Sequence, residues 1–210
     1  MAHKKHSAKW RVSSGECRCQ LRLLITILLV FVTTTSLFAN DVSFLSFGTG
    51  KTKVRLYTDY FCGPCRDLEP KVEGMIVELV KRNVIDLTFI DAPFHRDSTF
   101  YARYFLFVLN EKKEFKYILA ARAALFEAAR EKIAEKEKLE EFLRKKGIKF
   151  KPFDARPVFN VLSGYLREDK INSTPTCVIY SGDKKETFTG ATNITKALEN
   201  LRGVSQLSGG

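Results

Sequence analysis

The sequence predicts a mixed α/β fold in which a long helical segment interrupts a sheet. Segments rich in β-branched and aromatic residues occur at 54–61 and 84–90 and return at 176–189. Between them, residues 97–146 contain no Pro or Gly, and their apolar residues recur at helical spacing. A chain of 210 residues, of which 45% are hydrophobic, is long enough for one domain with an inserted subdomain.

Residues 1–39 are predicted to be a targeting segment. Six Lys and Arg residues precede the apolar run 23–32, and threonines and Ala39 follow it. This layout is typical of a secretory signal peptide that is cleaved after Ala39. Extended through the threonines, the run reaches about 17 residues, the lower limit for a membrane span, so an uncleaved anchor is the alternative. In both cases we expect the rest of the chain to be exported.

The charge of the chain does not indicate a nucleic-acid partner. Without residues 1–39 the formal charge falls from +11 to +6, because 29 Lys and Arg and 23 Asp and Glu remain. These basic residues alternate with Glu along predicted helices, which is typical of solvated helical faces. We therefore expect no binding to DNA or RNA.

The main chemical motif is Cys62-Gly63-Pro64-Cys65, between the predicted strand 54–61 and a predicted helix whose apolar residues run from Leu68 to Val80. The positive end of a helix dipole favours a thiolate, so Cys62 is the candidate nucleophile. The two-residue spacer lets Cys65 reach back across the first turn and resolve a mixed disulfide. Export to an oxidising compartment permits such chemistry.

A zinc site is the alternative interpretation of this motif. A CxxC can be half of a zinc site, but structural zinc needs four ligands, and the exported part offers only His95 and Cys177 besides. We therefore predict no metal and no organic cofactor.

Cys177 is expected to be a buried, inert thiol, with a regulatory or redox role as the alternative. His95 is expected in a surface loop, with a place at the rim of the site as the alternative.

The other elements follow from hydrophobic spacing and turn residues. Strand, helix and strand across 54–90 form a βαβ unit, which implies parallel pairing. In chain order the further predictions are an edge strand within 40–47, a turn at 48–50, helix breaks at 110–113 and at Gly147, a helix capped by Asp154, a hairpin at 176–189, a helix at 194–201 capped by Asn193, and a flexible tail at 203–210.

This order of elements resembles the thioredoxin fold with a helical insertion, as in the DsbA-like thiol–disulfide oxidoreductases of the bacterial periplasm. The resemblance covers residues 52–202, and its specific marks are the CxxC and Pro175, which precedes the second β-segment. It implies a thioredoxin-like domain formed by 40–96 and 172–202. The inserted helical subdomain is then 97–171.

In this family the proline is cis and faces the active-site disulfide, so the resemblance gives this place to Pro175, with Thr174 before it. An X-Pro bond needs only about 0.5–1 kcal/mol to become cis, and the backbone of residue 174 is then available to an extended substrate. A trans proline that merely starts a strand is the alternative. We expect Tyr60, Phe61, Pro64 and Pro175 to form an apolar rim for the substrate.

Two features depart from the family pattern. Many relatives carry a buried acid six positions before the first cysteine, where this chain has Leu56, so Glu69 or water is left to carry the proton. Asp59 is interpreted as a turn residue. The pair Gly63-Pro64 is the thioredoxin choice, whereas strongly oxidising DsbA proteins have Pro-His, so we expect a weaker oxidant.

These observations predict an exported, monomeric enzyme that exchanges disulfides with the cysteines of proteins or peptides. By resemblance, its electrons pass to a DsbB-like or DsbD-like membrane partner. One alternative is a dedicated thiol reductase, for example in cytochrome maturation, and another is a binding module with incidental or metal-binding cysteines. Isomerase activity is less expected, because the dimeric isomerases of this fold carry an N-terminal dimerisation domain and residues 40–52 are too short for one.

Overall fold

The computed structural model describes residues 45–207, with backbone only for 204–207. The predicted signal peptide or anchor at 1–39 lies outside the described residues. The strands are β1 (Ser46–Phe47), β2 (Thr52–Thr58), β3 (Ile85–Asp91), β4 (Thr176–Ser181) and β5 (Lys184–Thr189). The helices are α1 (Gly63–Lys81), α2 (Ser98–Glu111), α3 (Phe115–Arg130), α4 (Lys136–Lys145), α5 (Arg156–Glu168) and α6 (Ala191–Leu207).

The five strands form one mixed sheet in the order β1-β3-β2-β4-β5. β2 and β3 pair in parallel through the crossover helix α1, as the sequence predicted. The other neighbours pair antiparallel, including the predicted hairpin β4–β5. Helices α2 to α5 come between β3 and β4 in the chain, and we call them the helical block. The predicted α/β fold with inserted helices is confirmed.

The register of the sheet brings three loops to one edge. Thr58, the last residue of β2, pairs with Asp91, the last residue of β3. On the other side of β2, Tyr57 pairs with Thr176, the first residue of β4. The segments 59–62, 92–97 and 172–175 therefore leave or enter the sheet next to one another.

A continuous apolar core lies between the sheet and its helices. α1 and α6 pack against each other. Most of the largest apolar side chains with less than 2% exposure come from β2, β3, α1 and α2, and they include Leu56, Tyr57, Leu68, Ile76, Leu79, Ile85, Leu87 and Tyr101. No helix within residues 45–207 is long and apolar enough to cross a bilayer.

The end of the helical block is fastened to the sheet through Asp169. Its buried carboxylate accepts hydrogen bonds from the hydroxyl groups of Tyr57 and Tyr180. It also pairs with the Arg55 guanidinium at 3.0 Å and the Lys185 ammonium at 2.7 Å. Since Tyr57, Arg55, Tyr180 and Lys185 belong to β2, β4 and β5, one carboxylate holds three strands against the block.

Several predicted boundaries are wrong. β2 ends at Thr58 rather than at 61, because the Asp59 carboxylate accepts the N–H of Phe61 and closes a turn. α6 begins at 191 and continues to 207, so the predicted tail is wrong for 203–207, while 208–210 lie outside the described residues. Asn193 lies within the first turn, where its amide donates to the carbonyl of Thr189. The N-cap of α5 is Ala155 rather than Asp154.

Candidate active site

The CxxC lies at the N-terminus of α1, with Cys62 as the N-cap residue. Cys62 has extended backbone angles, and Pro64 occupies the first helical turn, where its missing N–H removes no hydrogen bond. The N–H of Cys62 donates to the carbonyl of Asp59 at 3.0 Å, which closes the turn between β2 and α1. The helix start is therefore fixed by the local sequence.

The two cysteine sulfurs are adjacent and both are free thiols. The Cys62 sulfur accepts the backbone N–H of Cys65 at 3.3 Å, and the Cys65 thiol donates to the Cys62 sulfur at 2.8 Å. Cys62 is 7% exposed, whereas Cys65 is fully buried. Burial and the hydrogen bond with Cys62 raise the pKa of the Cys65 thiol well above its ordinary value. A substrate can therefore reach only the first sulfur, and the second keeps its proton.

The loop before β4 lies directly against Cys62. The Cys62 thiol donates to the carbonyl of Thr174 at 3.3 Å, although 112 residues separate them. The Thr174–Pro175 peptide bond is cis. Pairing of β4 with both of its neighbours begins only at Thr176, so Thr174 lies beyond the ladders. Pro175 is buried, and its carbonyl accepts the N–H of Gly190.

The residues expected on an apolar rim do not all lie at the surface. Pro64 is exposed and Phe61 is half-buried. Tyr60 is only 2% exposed and packs between Tyr101 and Phe126 of the helical block, with ring centroids 5.9 and 4.8 Å away. Tyr60 therefore belongs to the core and not to a surface that a substrate touches, because its ring follows the turn inward.

Asp59 is a turn residue, as interpreted from the sequence, but its role is larger. Its carboxylate is fully buried and accepts the backbone N–H groups of Phe61, Phe94 and His95. It also accepts the Ser98 hydroxyl at 2.8 Å and lies 2.9 Å from Nδ1 of the half-exposed His95 ring. One carboxylate thus ties the turn before Cys62 to the loop 92–97.

A buried ionic cluster connects the helical block to the CxxC helix. Arg122 of α3 is fully buried, and its guanidinium binds both oxygens of Glu69 on α1, at 2.5 and 3.1 Å. The same group donates to Thr58 at 2.9 Å and to Asp91 at 3.4 Å, and Asp91 accepts the Tyr60 hydroxyl at 3.2 Å. Burial raises the pKa of Asp91 to about 6, with a further contribution from the Glu69 charge.

The sequence left open whether Glu69 or water carries the proton of Cys65. Leu56, which stands where many relatives have an acid, is a buried apolar residue and lies opposite Cys177 on β4. Both oxygens of Glu69 are occupied by Arg122, although Glu69 lies one helical turn after Cys65. Cys177 is fully buried, as predicted, and burial alone raises the pKa of its thiol to about 12.

Sequence reasoning missed Arg122, Asp91 and Asp169. Arg122 had a visible signal, since it stands in the middle of the apolar stripe that runs from Ile118 to Leu125 at helical spacing. A charge on the buried face of a helix requires a buried partner. Asp91 and Asp169 gave no such signal, because both stand at the ends of elements, where a carboxylate is ordinary. Among residues 45–207, no group of three or more His, Cys, Asp or Glu side chains is placed to hold a metal ion.

The chain belongs to the thioredoxin family, whose family model matches residues 47–200. Similarity to solved DsbA structures confirms, at the level of the fold, the predicted resemblance to DsbA-like proteins. A periplasmic thioredoxin-like protein from Salmonella enterica serovar Typhimurium has a similar structure, with a TM-score of 0.57 and 22% identity, over 79% of this chain and 90% of that one. No curated protein matches the sequence.

Two further solved structures are similar. The catalytic domain of Proteus mirabilis ScsC has a TM-score of 0.58 and 18% identity, over 78% of this chain and 91% of that one. The thiol-disulfide exchange protein alpha-DsbA2 from Wolbachia pipientis has a TM-score of 0.54 and 17% identity, over 88% of this chain and 98% of that one. At these identities the likeness is one of fold.

Proposed function

We propose that the chain is an exported thiol–disulfide oxidoreductase that exchanges disulfides with the cysteines of proteins or peptides through Cys62 and Cys65. The observation that carries this proposal is the contact of the Cys62 sulfur with the N–H of Cys65 and the carbonyl of Thr174, both at 3.3 Å. As the N-cap residue of α1, Cys62 lies at the positive end of the helix dipole, a place where reactive cysteines are found. The Thr174 backbone beside it can pair with an extended substrate.

The exchange takes place in two balanced steps. The Cys62 thiolate attacks one sulfur of a substrate disulfide, so that a mixed disulfide forms, the substrate bond breaks and the released sulfur takes up a proton. Cys65 then loses its proton and attacks the Cys62 sulfur, which gives the Cys62–Cys65 disulfide and a reduced substrate. The reverse sequence oxidises a substrate. Because burial keeps Cys65 protonated, Cys62 is the residue that attacks first.

The proposed location is the periplasm or another exported compartment, reached through residues 1–39. The exported assignment is supported by the signal-peptide layout of that segment and by the similarity to a periplasmic protein of Salmonella. A DsbB-like or DsbD-like membrane protein would then exchange electrons with Cys62 and Cys65. An uncleaved segment would anchor the enzyme at the membrane.

Trapping of mixed disulfides tests the proposal. In Cys65→Ser the resolving sulfur is absent, so we expect Cys62 to remain bound to substrate proteins, as complexes that dithiothreitol releases on a non-reducing gel. Cys62→Ser should form no such complexes, and Cys177→Ala is the matched control in which a buried cysteine outside the CxxC is removed. Equal complex formation by both active-site variants would contradict the proposal, and so would stoichiometric zinc in the purified protein together with full function of Cys62→Ser.

A dedicated reductase is the second candidate, and the Gly63-Pro64 pair favours it. The reduction potentials of thioredoxin and DsbA are about −270 and −120 mV, a difference of about 7 kcal/mol for two electrons. Equilibration of Cys62 and Cys65 with glutathione or dithiothreitol buffers measures the potential directly. A value near that of thioredoxin would identify a reductase, and a value near that of DsbA would identify an oxidase.

A further inference from the structure

The loop 92–97 carries an exposed aromatic ring next to the candidate active site. Phe94 is 46% exposed, and it is the one large hydrophobic residue exposed among the side chains that the structure describes. The loop follows β3, whose last residue pairs with the last residue of β2, so it leaves the sheet beside the turn that leads to Cys62. Phe94 therefore stands at the edge of the sheet where the reactive sulfur lies.

The backbone of this loop is held firmly. The N–H of Phe94 donates to the carbonyl of Ala92 at 2.9 Å and to the Asp59 carboxylate at 3.0 Å. The N–H of His95 donates to the same carboxylate at 3.2 Å and to the Ser98 hydroxyl at 3.1 Å. Asp59 also holds the turn before Cys62, so the position of the Phe94 backbone relative to the sulfur is fixed.

The surroundings distinguish Phe94 from an isolated surface residue. Pro93 on the same loop and Pro64 in the CxxC are exposed, and Phe61 is half-buried. These apolar residues lie on the two loops that Asp59 ties together. An exposed apolar surface beside a reactive group is typical of a binding site, and an aromatic ring on a rigid backbone loses little conformational entropy when it binds.

We propose that Phe94 is a specificity-determining residue that contacts an apolar side chain next to the reactive cysteine of an extended polypeptide. The inference rests on the proposed function and adds the class of substrate to it. The Asp59 carboxylate accepts hydrogen bonds from both the loop that carries Phe94 and the turn that leads to Cys62. A small thiol has no side chain to reach this ring, so its exchange does not depend on Phe94.

The test uses the oxidised full chain and two reduced dithiol peptides that differ only in Phe or Ser next to the first cysteine. Second-order rate constants are measured by quenched flow. We expect the wild type to prefer the Phe peptide, and Phe94→Ser to slow that peptide about tenfold, as is typical when an aromatic contact is truncated. Phe94→Ser should change the rate constants for the Ser peptide and for dithiothreitol by less than about twofold. It should also change the equilibrium constant of the cysteine pair, which sets its potential, by less than about twofold. Phe94→Tyr keeps a ring and should restore the preference.

The outcomes separate this inference from the proposed function. If the wild type exchanges with dithiothreitol but treats both peptides alike, the inference is overturned and the proposed function stands. If Phe94→Ser slows dithiothreitol and both peptides equally, or shifts the potential, Phe94 acts on the cysteines and the inference is again overturned. If the wild type exchanges with none of the three, the proposed function itself fails.

Discussion

Among the described residues, two buried charged side chains, Arg122 and Asp169, connect the helical block to the rest of the fold, and they have opposite charges. Near the CxxC edge the block contributes a buried cation, Arg122, which binds carboxylates of α1 and β3. After its last helix it contributes a buried carboxylate, Asp169, which binds cations and hydroxyl groups from three strands. The helical block is thus attached once through a buried positive charge and once through a buried negative charge.

The difference teaches how surroundings set the response to pH. Around Arg122, two carboxylates share one cation, and burial raises the pKa of Asp91 to about 6. Around Asp169, burial acts in the same direction, but hydrogen bonds from Lys185, Tyr180, Tyr57 and Arg55 outweigh it and lower the pKa. The pKa values of two buried carboxylates, Asp91 and Asp169, therefore lie on opposite sides of the ordinary Asp value.

Removal of the positive centre should have the largest effect. Arg122→Met leaves the carboxylates of Glu69 and Asp91 buried without their cation, so we expect a loss of about 3–5 kcal/mol in the free energy of unfolding. Urea denaturation at pH 7 measures it. Glu69→Gln in the same chain should recover part of the loss, because one buried charge is then removed. A loss below about 1 kcal/mol in Arg122→Met would show that the cluster does not hold the block.

Removal of the negative centre should cost less. Asp169→Asn keeps an acceptor for the tyrosine hydroxyls but takes away the partner of Arg55 and Lys185, which both have partial access to water. We expect a loss of about 2–3 kcal/mol at pH 7. Since the folded pKa of Asp169 is lowered, its contribution is present above about pH 4. The wild type and Asp169→Asn should therefore converge as the pH falls, and an unchanged gap at pH 2–3 would contradict this account.

The contribution of Asp91 to stability should depend on pH in the opposite direction to that of Asp169. Its folded pKa of about 6 lies above the ordinary value of 3.8, so the stability it contributes at low pH is lost as the pH rises from about 4 through 6. A shift of about two pKa units corresponds to at most about 3 kcal/mol, and we expect about 1–2 kcal/mol because Asp91 shares the Arg122 guanidinium with Glu69. Asp91→Asn should lack this decline in urea denaturation curves recorded across pH 4–7. If the free energy of unfolding of Asp91→Asn declines as much as that of the wild type, other groups cause the decline.

The smallest effect should come from the residue next to Asp169. Glu168 binds the same arginine, Arg55, at 3.0 Å, but its side chain is 53% exposed. Water and salt screen such a pair, so Glu168→Gln should cost about 0–1 kcal/mol and less in high salt. Thermal unfolding in low and high salt measures it. A loss as large as that of Asp169→Asn would show that burial does not set the strength of this fastening.

The sequence predicted the sheet and the helical block well, because strands and helices leave different periods of apolar residues. It also predicted which cysteines come together, since a CxxC is a local motif. It did not predict that Tyr60 turns into the core, because the turn at Asp59 depends on hydrogen bonds from Phe94 and Ser98, far along the chain. Contacts of this kind leave no period and no local motif.

The connections of the helical block have one more consequence. The chain enters the block after Asp91, which pairs with Thr58, and returns before Thr176, which pairs with Tyr57. With strands about 4.8 Å apart, the two connections stand about 10 Å from each other, one on each side of the Cys62 turn. A shift of the helical block relative to the sheet would therefore move both connections, and the surroundings of the Cys62 sulfur would change with the position of the block.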